Sequence, residues 1–416
     1  MASFVAHNPN VFASRAEALA SLTASLSTCK CSPCEAGSLA CQKDSYLREI
    51  SSLLLASAIY REEVTAKAAK GKKKKKATPD DVAKSGNSKV LLVFEDSVFF
   101  PAGGGQPCDR GTVSISDGTS FDVIDVENAG GVAVLTVDIP SSPHVAEIVL
   151  KFVSAEEKVS QKIDWALRFD HIVQHSGQHL ISAIAMEPEF DFDTMSWSLQ
   201  AGLTSYIDFS VDPETPIEEQ VNKFKKIEAM CNDKIRSNLS MTPMWMYPED
   251  PEFQKKVRSR LLPEGLNGKL RLVEIDGIDC NTCCGTHVPT LSHLQMVKFF
   301  KFSKIKSNLL RVSYAVGERL VDIMEESFTR QCKITGILTV NESGHVETVN
   351  KLIDEKKSNE KEIKALNQKL VDLQIKGIIE EAKSDKVSEQ HHALAVEQIK
   401  DYLLNNDFIC RSFLRI

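Results

Sequence analysis

The sequence predicts an α+β fold followed by a C-terminal helix, on three observations. Short runs rich in Val, Ile and Phe between Lys89 and about Val153 are separated by Gly, Asp, Asn and Pro, the pattern of strands and their turns. A helix bearing three histidines follows, about Trp165 to Met186, so strands and helix read as one unit rather than as alternating βαβ repeats. From Val349 onward apolar residues recur in steps of three and four, the spacing of a coiled-coil seam.

Composition sets the bounds. A chain of 416 residues accommodates two or three domains, and 42% hydrophobic with 26% charged residues is ordinary for a water-soluble protein. The net charge of −7 argues against a uniformly basic nucleic-acid binder, so an RNA contact must come from a local patch. No apolar run approaches the roughly 20 residues of a membrane span. The Ala- and Ser-rich N-terminus lacks the basic start and apolar centre of a secretory signal and is poor in Arg for a transit peptide, which reads as cytoplasmic. Eleven cysteines, odd in number and without framework spacing, fit reduced thiols.

Residues 1–40 read as an irregular extension apart from a short helix over Ser14–Leu26. Cys29, Cys31, Cys34 and Cys41 lie close together there, but without C-x-x-C pairing a metal is the lesser reading. Residues 41–160 form a β-rich domain. It opens with a short helix ending near Glu63 and carries a Lys-rich loop at 67–80. The run Lys72–Lys76 repels itself, so a solvated loop is favoured over an anion-binding arm. The strands "KVLLVFEDSVFF", "GTVSISD", "SFDVIDVE", "GVAVLTVD" and "AEIVLKFV" suit a small barrel or sandwich. Among them sits "FPAGGGQPCDRG", whose glycines Gly103 to Gly105 permit positive φ and close backbone approach.

Residues 161–320 hold the histidine helix, two strands at "SWSLQA" and "TSYIDFS", and a helix over about Pro216–Asn238. The strand "RLVEIDGID" then leads into "CNTCCGTHV", and "LQMVKFFKFS" with "LLRVSYAVG" is expected to return as a hairpin to the same sheet. Residues 321–385 are helical. The seam Val349, Leu352, Ile363, Leu366, Leu370 and Leu373 is interrupted by Lys356 and Asn359 and ends at Gly377, and it wants a partner in cis or in trans. A short tail, 386–416, closes the chain.

Two half-sites carry chemistry. In "RFDHIVQHSGQHL", His171, His175 and His179 are spaced by four and share a helix face. The outer two, about 12 Å apart along the axis, cannot share one ion, which leaves His171/His175 or His175/His179. Ser176 stands where a metalloprotease helix carries its Glu base, so a peptidase is disfavoured. In "CCGTH", Cys283 and His287 are again four apart, with Gly285 and Thr286 supplying a tight turn. One thiolate and three imidazoles, two of them from the helix, make a tetrahedral set suited to zinc.

Taken in order, "FPAGGGQPCDRG", "HSGQHL", "YIDFS" and "CCGTHV" resemble the editing domain of alanyl-tRNA synthetases, and most closely the freestanding AlaX-type alanyl-tRNA editing proteins. The resemblance runs from roughly Ser38 to Gly317. It implies a β-barrel-like domain followed by a zinc-containing α/β editing domain of the alanyl/threonyl-tRNA synthetase type. It implies one zinc ion on His175, His179, Cys283 and His287, leaving His171 outside the motif. Gly104, Gly105 and Gln106 would form a loop facing the site, with Ser176 and Gln178 lining the pocket. Cys284 departs from the synthetase pattern, which usually has Gly, and is an alternative ligand.

An aminoacylation half would need several hundred residues upstream, where this chain has only the extension. The implied activity is therefore hydrolysis in trans of mischarged tRNA(Ala), chiefly carrying serine and secondarily glycine. No catalytic base is identified, because no carboxylate sits in the motifs. Basic candidates for tRNA contact are Lys298, Lys301, Lys304, Lys306 and Arg311. The alternatives are a noncatalytic, zinc-stabilised tRNA- or protein-binding scaffold working through the terminal helix, and editing of another mischarged tRNA.

Overall fold

The structure, a computed structural model, describes residues 6–27, 29, 31–61, 88–115, 117–139, 158–199, 202–258 and 268–384. The Lys72–Lys76 run, the strand expected at "AEIVLKFV" and the tail at 386–416 lie outside the described residues. The chain divides into two units, Met1–Glu325 and Glu326–Ile416.

In the first unit come β1 (Ala6–Phe12), α1 (Arg15–Leu26), α2 (Ala40–Lys43), β2 (Glu49–Ser52), β3 (Leu54–Arg61), β4 (Ser88–Phe94), β5 (Gly111–Ser114), β6 (Ser120–Ala129), β7 (Val132–Ile139) and β8 (Val159–Ile163). They make an eight-stranded sheet in the order β1-β3-β4-β7-β6-β5-β8-β2. Leu53 alone separates β2, at one end of that order, from β3, next to the other end, so the sheet curls back on itself. Alternation along β4 splits its residues between two cores. Val90, Leu92 and Phe94 join Leu135, Val137 and Val123 on one face, while Leu91 and Val93 meet Ala18 and Leu22 of α1 on the other.

Two expectations are corrected here. The extension is not irregular: β1 pairs in parallel with β3, and α1 covers the sheet with Ser14 as its N-cap. "AHNPNVF" carries little strand signal, and its register shifts between Asn8 and Val11, spanning Pro9, which has no N–H to give to a ladder. The segment before Arg61 is strand β3, not helix. Its alanines favour helix locally, but β3 lies between β1 and β4 and is buried along nearly its whole length, so packing on both faces overrides propensity.

The first unit continues with α3 (Trp165–Ala185), β9 (Thr194–Ser198), β10 (Ser205–Ser210), α4 (Ile217–Arg236), β11 (Met241–Met246), α5 (Pro251–Lys256), β12 (Leu270–Ile275), β13 (Asp279–Thr282), β14 (Val297–Lys306) and β15 (Leu309–Val316). The β14/β15 hairpin does not return to the sheet of β12. It builds a four-stranded sheet, β14-β15-β10-β9, while β12 sits in a separate one, β11-β12-β13. Both pack into one core, where Ile172, Leu180, Ile181 and Ile184 of α3 meet Phe224, Ile227 and Ile235 of α4. β11 escapes sequence reading because Pro243 stands in its middle.

The helical part consists of α6 (Glu318–Leu338) and α7 (His345–Ser384). Gly377 does not end α7, which runs on to Ser384; an interior glycine costs only about 1 kcal/mol relative to alanine. Among the described residues no helix is long and apolar enough to cross a membrane.

Candidate metal centre

Helix α3 starts after Asp164, whose side chain accepts the N–H of Leu167. From His171 to Ala185 every residue is buried. His175 and His179, one turn apart, have ring centroids separated by 5.1 Å. The loop after β13 brings Cys283 and His287 to the same point. Gly285 makes the approach feasible, because a Cβ there would stand 2.2 Å from His175 Cε1.

Cys283 Sγ lies 3.5 Å from His175 Nε2 and 3.3 Å from His287 Nε2. The ligand atoms of His175, His179, Cys283 and His287 all fall within 4.8 Å of one another. A tetrahedron with metal–nitrogen and metal–sulfur bonds of about 2.0–2.3 Å has edges of about 3.3–3.7 Å. The two distances to sulfur match such edges, so the residues present fit a tetrahedral ion.

Burial governs protonation here. It holds His175 and His287 well below the usual imidazole value and His179 down to about 3, with neighbouring positive groups adding to the effect. It pushes the Cys283 thiol up to about 11, against a smaller lowering influence of Arg271 and the Gly285 N–H, which donates to Sγ at 3.4 Å. The three imidazoles are thus neutral donors at pH 7, as a metal requires.

The loop of the β-rich part locks one ligand. Gln106 Oε1 accepts the N–H of Thr286 at 3.0 Å, and Gln106 Nε2 donates to Thr286 Oγ1 at 2.8 Å. A backbone N–H can only donate, so the atom facing it must be the amide oxygen. That oxygen lies 2.8 Å from His175 Nδ1, which must therefore carry the proton and leave Nε2 free toward Cys283. Gln106 closes a turn with Gly103, and Gly104 and Gly105 at its centre have φ of +54° and +79°, the glycine-favouring region. Gly105 also abuts Trp197, whose ring a Cβ would meet at 2.7 Å. Trp197 in turn lies 4.9 Å from His175, ring centre to ring centre. Sequence reading missed Trp197.

Ser176 is fully buried; its Oγ accepts the Val288 N–H at 3.0 Å and lies 3.5 Å from His287 Nδ1. It ties the loop to the helix. Gln178 donates through Nε2 to Ser182 Oγ at 2.8 Å, while its buried Oε1 has no hydrogen-bond partner among the described residues. His171 is buried one turn before the centre and outside its group, with Nδ1 unpartnered. Cys284 is exposed and also outside the group, so Cys283 is the thiol that meets the imidazoles. Among the described residues Cys29, Cys31, Cys34 and Cys41 belong to no such group.

Further residues brace the site across long sequence separations. Gln42 Nε2 donates to the Cys284 carbonyl at 2.8 Å, and Arg271 bridges the carbonyls of Gln42 and Cys283 at 3.1 and 2.6 Å. Ser45 Oγ accepts the His287 N–H at 3.1 Å. Arg168, on α3, is fully buried and paired with Asp109 from the glycine loop's continuation, Nε to Oδ1 at 2.8 Å, and also donates to the carbonyls of Val98 and Ser45. None of these pairings has a local signature.

The basic candidates divide. Arg311 is engaged with Asp208 by two bonds of 2.7 and 2.9 Å and stacks 3.6 Å over Tyr206. Lys298 is paired with Glu228 at 2.7 Å. Lys301, Lys304 and Lys306 are exposed on β14. Lys306 pairs with Leu309, at the far end of β15 from Val316, which packs on α3 at Gly177. At about 3.3 Å per residue, that puts the hairpin tip roughly 20 Å along the strand from the centre.

Comparison with known proteins gives a consistent picture. The family profile described as "Threonyl and Alanyl tRNA synthetase second additional domain" matches residues 270–313, from β12 into β15. The alanyl-tRNA editing protein Aarsd1 of Danio rerio is 33% identical over 312 residues, covering 75% of this chain and 66% of that protein. Aarsd1-A of Xenopus laevis is 34% identical over 328 residues, covering 79% and 68%. The alanyl-tRNA editing protein AlaX-L of Pyrococcus horikoshii is 25% identical over 305 residues, covering 72% and 69%. The chain spans about two thirds of the length of these curated relatives.

Proposed function

We infer the function from membership: this chain belongs to the alanyl-tRNA editing proteins, and its activity is hydrolysis in trans of the ester joining a wrong amino acid to tRNA(Ala), serine first and glycine second. The observation that carries the reading is the buried group of His175, His179, Cys283 and His287, with His175 held in its ligand tautomer by Gln106.

An aminoacyl ester is already labile, so the site has to position water and substrate and steady the developing oxyanion. Zinc, held by the three imidazoles and the Cys283 thiolate, would supply a Lewis-acid centre that orients the substrate's amino group. Four protein donors leave no open position of the kind hydrolytic zinc sites keep, and no carboxylate joins the group, which favours orientation over activation of water. Of the three polar residues expected to line the pocket, Gln106 is committed to His175 and Thr286, and Ser176 to Val288 and His287. Gln178 Oε1 keeps an acceptor free. A serine hydroxyl satisfies it and alanine does not; an unmet buried acceptor costs about 1–3 kcal/mol, enough for roughly 10- to 100-fold discrimination.

Lys301, Lys304 and Lys306 are exposed cations on β14 for the RNA backbone, set back from the 3′ end, whereas exposed Lys298 is engaged with Glu228. The cytosol, where its free cysteines stay reduced, is the compartment that suits the chain.

The test is deacylation of Ser-tRNA(Ala), Gly-tRNA(Ala) and Ala-tRNA(Ala) by the parent, Cys283→Ala, His179→Ala and His171→Ala, with zinc measured on each protein. Serine release by the parent and by His171→Ala is expected, with zinc and activity lost in the other two. A parent that is folded and zinc-loaded yet releases no serine overturns the reading.

A further inference from the structure

Helix α7 carries a feature that the metal centre leaves unexplained. On this 40-residue helix the seam residues Ile363, Leu366, Leu370 and Leu373 are 57%, 49%, 52% and 64% exposed. An apolar stripe open to water over several turns is the mark of a surface awaiting another helix. The charges beside the stripe say which one.

With Val349 and Leu352 as the first a and d positions, the g column reads Glu355, Glu362, Lys369 and Lys376, and the e column reads Ile353, Glu360, Asn367, Gln374 and Glu381. The g column is acidic in its first half and basic in its second. In an antiparallel pair of identical helices g faces g, so the acidic half of each column meets the basic half of the other. In a parallel pair g faces e of the next heptad. Glu355 then meets Glu360 of the second copy, Glu362 and Lys369 meet only the uncharged Asn367 and Gln374, Lys376 meets Glu381, and Lys356 meets its own equivalent inside the seam. Along g the parallel arrangement sets one like-charge contact against one opposite-charge contact, whereas in the antiparallel one every g position meets an opposite charge.

We propose that α7 is a self-association surface on which two copies of this chain pair antiparallel. Lys356 and Asn359, at polar seam positions, then face a different residue of the second copy rather than themselves, which disfavours the parallel competitor. The pairing stands independently of the catalytic reading.

Charge exchange on the exposed g column tests it in the full-length chain. The parent is expected to show twice its chain mass in sedimentation equilibrium at about 50 µM. In Glu355→Lys/Glu362→Lys every g position is lysine, and in Lys369→Glu/Lys376→Glu every g position is glutamate. Each double variant alone should associate about tenfold or more weakly than the parent, while their equimolar mixture should form a 1:1 dimer at least as tight as the parent's. Far-UV circular dichroism checks that each keeps its helix. A monomeric parent at that concentration overturns the proposal. So does a mixture that fails to associate, or a Glu355→Lys/Glu362→Lys variant that self-associates more tightly than the parent, the result that parallel pairing requires.

Discussion

Helices α3 and α7 both place residues against their solvent preference, and they do so in opposite senses. α3 buries Arg168, Gln174, His175, Ser176, Gln178, His179 and Ser182, residue types that water ordinarily keeps at a surface. α7 leaves Ile363, Leu366, Leu370 and Leu373 open to water. In α3 the polar cost is met by groups far along the chain: Asp109 for Arg168, Val316 for Gln174, Gln106 for His175 and Val288 for Ser176. In α7 the described residues offer the stripe no cover. A helix whose misplaced residues are answered within the fold is a site, and one whose misplaced residues are unanswered is a surface for another molecule.

The comparison breaks first at Arg168. Replacing Asp109 with alanine strands a guanidinium in the interior, and the expected loss is about 3–5 kcal/mol of unfolding free energy in urea titration. A loss below about 1 kcal/mol would mean that α3 tolerates an unanswered buried charge. Leucine sharpens the contrast. Leu180→Ala on α3, fully buried, should cost about 2–5 kcal/mol. Leu370→Ala on α7, measured in dilute protein, should stay within about 0.5 kcal/mol. Equal costs would show that the α7 stripe is covered within the chain.

A smaller effect than at Arg168 or Leu180 is expected at the pair of buried Asp208 with half-buried Arg311. The bonds from Arg311 hold the Asp208 carboxyl below its usual value, with Ser196 assisting. A carboxylate depressed in the folded state contributes stability above its unfolded value, about 3.9, and loses it as pH falls through the lower folded value. Because Arg311 is partly open to solvent, Arg311→Gln should cost less than about 1 kcal/mol. That cost should be flat from about pH 5 to 8 and shrink toward pH 3 in thermal melts followed across pH. A cost that persists undiminished at low pH would remove the pair from any role in stability.

Much of the β-rich part was legible because its signals are local. β4 and β7 are short runs of Val, Leu and Ile buried nearly throughout, the first half of β6 alternates buried and open residues, and turn formers separate them, so composition and punctuation suffice to find them. β1 and β3 were not. One is poor in strand formers and the other is rich in alanine, and each is a strand because of what lies beside it in the sheet. The hairpin β14/β15 was legible as a hairpin, but its sheet was not, since nothing in "RLVEIDGID" says which edge it will share.

For the site, spacing alone put His175 and His179 on one helix face and Cys283 and His287 on one turn, because a residue spacing of four is a distance that backbone geometry sets. Choosing between His171 and His179 needed the motif resemblance. What only the tertiary structure decided is the setting: Gln106 on His175, Ser45 and Gln42 against the ligand loop, Trp197 against Gly105, and Arg168 with Asp109. These groups stand tens to hundreds of residues apart, and no local energy term couples them. They meet because burying α3 makes an unpaired polar group costly, and most of its polar side chains find a partner wherever the fold supplies one.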